Sequence, residues 1–242
     1  MNFLSKPNLP DSVVKVLAMG EGNVNLRNEL ERIGIEVIEL KANNSLGLLS
    51  KHADMLLFDN GNGEFVVDSL QVELCEKINK WGGNATKIKI PENARYPDDV
   101  LLNAASVGDF IICNTKTISR EILDLTPNNI INVNQGYSKC SPCVVNSEAI
   151  ITDDFSIYKN ASKYIDVLLV SKGDIKLEGF NYGFIGGATF KLDKNNLGVI
   201  GKLKTHSDAD KIIAFLKNHS VEVVKLTNDV LTDIGGIIPL MA

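Results

Sequence analysis

The chain has 242 residues, 44% apolar and 23% charged, with a net charge of −5, an ordinary globular composition long enough for one large domain or two small ones. The negative balance argues against a general nucleic-acid binder, and no apolar run approaches the roughly 20 residues that a bilayer span requires. The opening MNFLSKPNLPDS has no hydrophobic signal core, so a cytoplasmic location away from membranes is expected.

The predicted elements follow in chain order. Val13 to Met19 reads as a strand, Asn23 to Arg32 as a helix stopped by Gly34, and Ile35 to Leu40 as a strand. Met55 to Asp59 and Glu64 to Val67 are strands joined by Asn60-Gly61-Asn62-Gly63, a strong hairpin signal. A helix follows with Leu74, Cys75 and Ile78 on one face and Gly82-Gly83 as its stop, then a strand from Thr86 to Ile90. Val100 to Asn103, Phe110 to Cys113, a helix near Thr117 to Leu125 and a strand from Ile130 to Val133 repeat the order. So do Pro142 to Asn146, Glu148 to Thr152, a helix near Asp154 to Lys163 and a strand from Val167 to Val170.

The last full unit is the clearest. Gly183 to Leu192 reads as a glycine-bearing strand, 193–196 as a turn and Leu197 to Lys202 as the second strand. Ser207 is placed to cap a helix to Lys217 whose Ala209, Ile212, Ile213 and Leu216 share one face, and Val221 to Leu226 closes the unit. Gly235 to Leu240 is a strand without a helix after it, and the N-terminal elements lack a first strand. Pairing the two completes a fifth unit and closes a ring, which hides sheet edges. The predicted fold is therefore an α/β propeller of five ββαβ repeats within a single domain over 1–242. Its units are 235–242 with 13–40, 55–90, 98–133, 140–176 and 183–226; an open sheet of βαβ units is the plainer alternative.

A closed ring of five such units resembles the pentein fold of amidinotransferases, dimethylargininases and arginine and agmatine deiminases. Asp99-Val100-Leu101-Leu102 followed by Asp109-Phe110-Ile111-Ile112 is similar to the dimethylargininase hairpin that carries a substrate-binding acid. Asn134 to Ser141 resembles the segment around that family's catalytic His, and Asp233 to Leu240 the C-terminal strand with its nucleophilic Cys. Two departures stand out. Leu240 or Pro239 stands where the Cys belongs, and 134–140 has no His, Gln135 or a neighbour taking its place. Without nucleophile and proton shuttle the covalent mechanism is lost, whereas an acid kept as Asp98 or Asp99 can still hold a cation.

Several motifs carry two readings. Cys140-Ser141-Pro142-Cys143 leads into a strand instead of opening a helix, so a redox role is disfavoured, and Cys75, Cys113, His52, His206 and His219 supply no companion metal ligands. Cys140 and Cys143 stay as weak candidates for a displaced nucleophile against the plainer role of buried cysteines. Gly20-Glu21-Gly22 with Glu39 mimics a dinucleotide fingerprint but lacks its third glycine, and serves better as a turn. Gly186, Gly187, Gly235 and Gly236 suit a crowded ring axis, with or without a ligand.

Asp59, Asn60, Asp98, Asp99, Asn103, Gln135, Tyr137 and Asn146 lie on or beside predicted first strands. The ring would bring many of them to one end of its channel, where paired polar groups suit a small cationic or zwitterionic, arginine-like ligand. The expected function is that of a pentein without Cys-dependent catalysis that keeps this ligand site, with no cofactor and no metal. An active guanidino-compound hydrolase or amidinotransferase using Cys140 or Cys143 is one alternative. Another is a non-catalytic interaction module resembling the ribosome anti-association factor, with a protein partner or a second copy.

Overall fold

The computed structural model describes residues 1–126 and 129–242. The first elements are β1 (Val16–Gly20), α1 (Val24–Arg32) and β2 (Glu36–Leu40), followed by β3 (Leu57–Gly61), β4 (Glu64–Asp68), α2 (Val72–Lys80) and β5 (Asn84–Ile88). Then come β6 (Ala105–Val107), β7 (Phe110–Cys113), α3 (Arg120–Leu125), β8 (Ile130–Asn132), β9 (Cys143–Asn146), β10 (Ala149–Thr152), α4 (Phe155–Ala161) and β11 (Asp166–Leu169). The last are β12 (Thr189–Lys191), β13 (Asn196–Val199), α5 (Ala209–Asn218), β14 (Glu222–Lys225) and β15 (Ile237–Met241).

These strands form five three-stranded sheets. In four, a hairpin pairs the first two strands antiparallel and a helix crosses over to a parallel third. In the fifth, β15 takes the first place, antiparallel to β1 with Ala18 opposite Ile238, while β2 runs parallel to β1. The two chain ends thus complete one unit between them.

The middle strands explain the ring. β1 reads Val-Leu-Ala-Met-Gly and is buried throughout, because alternate side chains point to opposite faces and each face meets another sheet. Val16 and Ala18 pack with Leu57, Phe65 and Val67. Leu17 and Met19 pack the other way, with Phe190 and Leu192. The alternation repeats around the circle. Phe58 and Val66 meet Ile111 and Cys113, Ala105 and Ile112 meet Val144 and Ile150, and Val145 and Ile151 meet Leu197 and Val199. Five apolar seams therefore join five sheets, and the last sheet touches the first. The outermost strands β11 and β14 are half-exposed, short and bear charged ends, which discourages further pairing.

One end of the ring is closed by a segment the repeat pattern omits. Leu4 N–H donates to Leu240 O at 3.1 Å, and Asn62 N–H donates to Leu4 O at 2.7 Å. Asn8 Nδ2 then reaches Ser106 O at 3.1 Å. No helix among the described residues is long and apolar enough to cross a membrane.

Three expectations need correction. Val100 to Asn103 is a turn, closed by Asn103 N–H to Val100 O, and pairing starts only at Ala105. Gly186–Ala188 is a 3-10 turn that precedes β12, so the glycines stand before the strand, where their main chain bonds other units. Asp208, not Ser207, precedes α5, and Ser207 Oγ donates instead to Asp174 Oδ2 at 2.6 Å. In the fingerprint-like turn, Glu39 accepts from Gly22 N–H at 3.3 Å and pairs with Arg27 at 2.7 Å, and a Cβ at Gly20 would meet the Lys51 carbonyl. These contacts account for both glycines and for the acid without a nucleotide.

Candidate functional site

In each unit the segment just before the first strand ends at the same mouth of the ring, and hydrogen bonds link all five. Asp54 N–H donates to Gly235 O at 3.0 Å. Asp54 O accepts from Asn103 Nδ2 at 3.0 Å. Asn103 Oδ1 accepts from Lys139 N–H at 2.6 Å and from Cys140 N–H at 3.4 Å. Gly187 N–H donates to Cys140 O at 3.0 Å, and Gly187 O accepts from Ile234 N–H at 3.1 Å and Gly236 N–H at 3.2 Å. The circuit returns to its start through residues 234–236. Asn103 joins it through its side chain and has no exposed surface.

This circuit floors a cavity of about 260 Å³. His52, Tyr137, Cys140 and Asp233 line its depth, and Leu177, Phe180, Tyr182 and Phe184 form its outer wall. A larger hollow, about 600 Å³, lies around Lys6, Asp109 and His219. Exposed Lys6 and Asp109 pair across it at 2.9 Å, so chemistry, and not volume, selects the central cavity.

Its floor is acidic. Asp54 has no exposed surface, and among the described residues no N–H or O–H reaches its carboxylate oxygens, leaving only the weak donor of the Cys140 thiol beside them. Burial, then the neighbouring Asp233, pushes its carboxyl up to about 7, against smaller pulls from the Cys140 thiol and Lys139. Asp233 accepts from Phe184 N–H and from Gly235 N–H, each at 2.8 Å. Burial still lifts it to about 6. Asp233 ionises first, and its charge then holds Asp54 up. Burial also raises the Cys140 thiol, helped by both acids, while Asn103 Nδ2 donates to its sulfur at 3.1 Å. His52 is held neutral, its pKa lowered by burial to about 4.

The glycines make room for these groups. A Cβ at Gly187 would collide with the Asp233 carboxylate, one at Gly235 with His52, and one at Gly186 with the carbonyls of Cys140 and Pro142. Gly236, at φ +75°, lies against Asp54 Oδ2. Gly187→Ala should therefore lower stability by about 1–3 kcal/mol, the usual cost of overpacking, read as a lower urea midpoint with an unchanged slope.

The remaining expected residues separate into two groups. Asp99 is buried and accepts from the Tyr137 hydroxyl at 2.8 Å; burial and this acid raise the Tyr137 phenol. Asp98 is exposed. Gln135 bonds Asp154 and Tyr137 N–H, bracing the loop without lining the cavity. Cys143 is buried in β9, with burial pushing its thiol up to about 11, and does not line the cavity. The expected convergence of Asp59, Asn60 and Asn146 with these groups is corrected. They sit at the far ends of β3 and β9, in the hairpin turns, where Asp59 accepts from Gly61 N–H at 2.7 Å and Asn146 from Glu148 N–H at 2.8 Å. A strand of four or five residues puts about 10–13 Å between its ends. His52, Asp54, Asp233 and the aromatic wall were missed. The available signal was a lone acid in the apolar run Ala53-Asp54-Met55-Leu56-Leu57-Phe58, at the start of a unit.

Comparison with curated proteins gives no match. Among solved structures the chain is similar to an amidinotransferase from Microseira wollei in the saxitoxin biosynthetic pathway, at 9% identity, TM-score 0.60, covering 96% of this chain and 92% of that one. It is similar to the inosamine-phosphate amidinotransferase of Streptomyces griseus at 8% identity, TM-score 0.60, covering 98% and 97%. It is also similar to the agmatine deiminase of C. jejuni at 10% identity, TM-score 0.53, covering 93% of each chain. Identities this low carry the fold alone, which is the pentein fold. Residues 19–238 match the family of unknown function DUF6873, and the chain belongs to that family.

Proposed function

We propose that this protein binds a small organic cation in the central cavity and does so without the thiolate chemistry expected of penteins. The observation that carries the reading is an acid pair at the cavity floor: Asp233 lines it, and Asp54 lies completely buried beside it, its carboxylate oxygens met by no N–H or O–H among the described residues. A buried acid without a partner is costly, and a cation seated against the pair would relieve that cost by drawing both acids into their charged forms. The Cys140 thiol, surrounded by these acids, is held protonated, which disfavours it as a nucleophile. The solved neighbours include enzymes named for amidino transfer and agmatine deimination, so guanidinium and ammonium groups are the first to test.

The experiment is a thermal-shift panel of arginine, agmatine, methylated arginines, citrulline and ornithine. A ligand at a hundred times its dissociation constant adds about 2.7 kcal/mol of stability. The expected result is a shift of several degrees that grows as pH rises through 6 to 7 and vanishes in Asp54→Asn. A flat response across the panel overturns the reading.

One observation favours a second reading. Cys140 and neutral His52 line the same cavity, and an imidazole is the usual acceptor of a thiol proton. Turnover of a panel compound, lost in Cys140→Ser and on thiol alkylation, would establish it.

A further inference from the structure

The cavity wall narrows the ligand class. Among the described residues that line it there is no Lys or Arg. Lys139, whose charge lies near Asp54 and Asp233, is buried and not part of the wall. A carboxylate entering this cavity would meet Asp233, with Asp54 buried behind it, and no cation in the wall, so a zwitterionic amino acid is poorly matched to it.

The outer wall is aromatic. Tyr96 and Tyr137 lie with ring centroids 6.1 Å apart. Tyr137 and Phe184 stack at 6.3 Å, and Tyr182 meets Phe184 edge-on at 6.2 Å. Tyr137, Phe184 and Tyr182 line the cavity, joined in its wall by Phe180, which is 46% exposed; Tyr96 packs on Tyr137 from outside the lining. Aromatic faces offered to an open cavity above an acid pair suit a flat apolar body tied to a positive end.

Resting on the binding reading above, we infer that the ligand is an aryl-bearing amine or guanidine that carries no carboxylate: its cationic end meets Asp233, backed by the buried charge of Asp54, and its ring lies along Tyr137, Tyr182 and Phe184. This replaces the arginine-like zwitterion with a carboxylate-free aromatic cation.

Calorimetry with four probes tests it: phenethylamine, phenylalanine, n-butylamine and agmatine. Phenethylamine should bind at least tenfold more tightly than phenylalanine, which differs by the carboxylate alone. It should bind about tenfold more tightly than n-butylamine, the difference expected for one or two ring contacts. Phe184→Leu keeps apolar bulk and the main-chain N–H to Asp233, so it should weaken phenethylamine more than n-butylamine and narrow the tenfold preference for the aryl amine. If phenylalanine binds as well as phenethylamine, or n-butylamine as well as both, the inference fails while cation binding stands. If neither these probes nor the guanidino panel binds, the cation site itself is wrong.

Discussion

At pH 8 the Asp54→Asn protein is expected to withstand more urea than its parent, with the gap shrinking as pH falls towards 5. Asp54 has no exposed surface and, among the described residues, no N–H or O–H partner on either oxygen, and its folded-state pKa is raised to about 7, against about 3.9 in an unfolded chain. Between those values the unfolded chain has released a proton that the folded chain keeps. Stability therefore falls with rising pH across this window, by at most about 4 kcal/mol for a shift of three units. Asparagine is neutral at every pH and removes the slope, although its amide needs partners, so a gain of about 2 kcal/mol at pH 8 is the realistic size.

The parent should show the same sign on a larger scale. Asp59 is raised to about 7, and Asp153 and Asp233 to about 6, each chiefly by burial. His52 opposes them. Its pKa is lowered to about 4, so it adds stability as pH rises from there to the unfolded value near 6.5. Four acids outweigh one imidazole, and urea midpoints should decline from pH 5 to 8. A variant less stable than the parent at pH 8, or a gap independent of pH, would mean that Asp54 is charged and paired in the folded protein. Because Asp54→Asn should fold well, its loss of ligand binding can be assigned to the site.

The ring was legible because its information is local. A strand such as β1, apolar at every position, demands burial on both faces, and five middle strands with apolar centres, separated by helices, have few arrangements other than a closed circle. The unpaired strands at the two chain ends then completed the unit. The site was only half legible, because convergence depends on which end of a strand a residue occupies. Asp59 and Asp54 are five positions apart, yet one caps a hairpin and the other faces Asp233 across the axis. Asp98 and Asp99 are adjacent and chemically alike, but one is exposed and the other bonds Tyr137. Nor does the local sequence reveal that Asn103 would spend its amide on two other units, since an Asn before a strand ordinarily makes a turn.

That last residue carries the largest destabilisation expected of any single change. Asn103 Nδ2 lies 3.0 Å from Asp54 O and 3.1 Å from both Met55 Sδ and Cys140 Sγ, and its Oδ1 holds Lys139 N–H at 2.6 Å. Asn103→Ala strands the Asp54 carbonyl and the Lys139 N–H where water does not reach, at about 1–3 kcal/mol each, and leaves a small cavity. A loss of about 3–5 kcal/mol follows, a large share of the stability of a typical domain. Filling the space without restoring the bonds should not help, so Asn103→Leu should be nearly as unstable as the alanine variant. Urea denaturation of both variants decides the matter. A cost below about 1 kcal/mol for either would mean that water satisfies those groups, and that the five segments are held at the axis by their apolar seams alone.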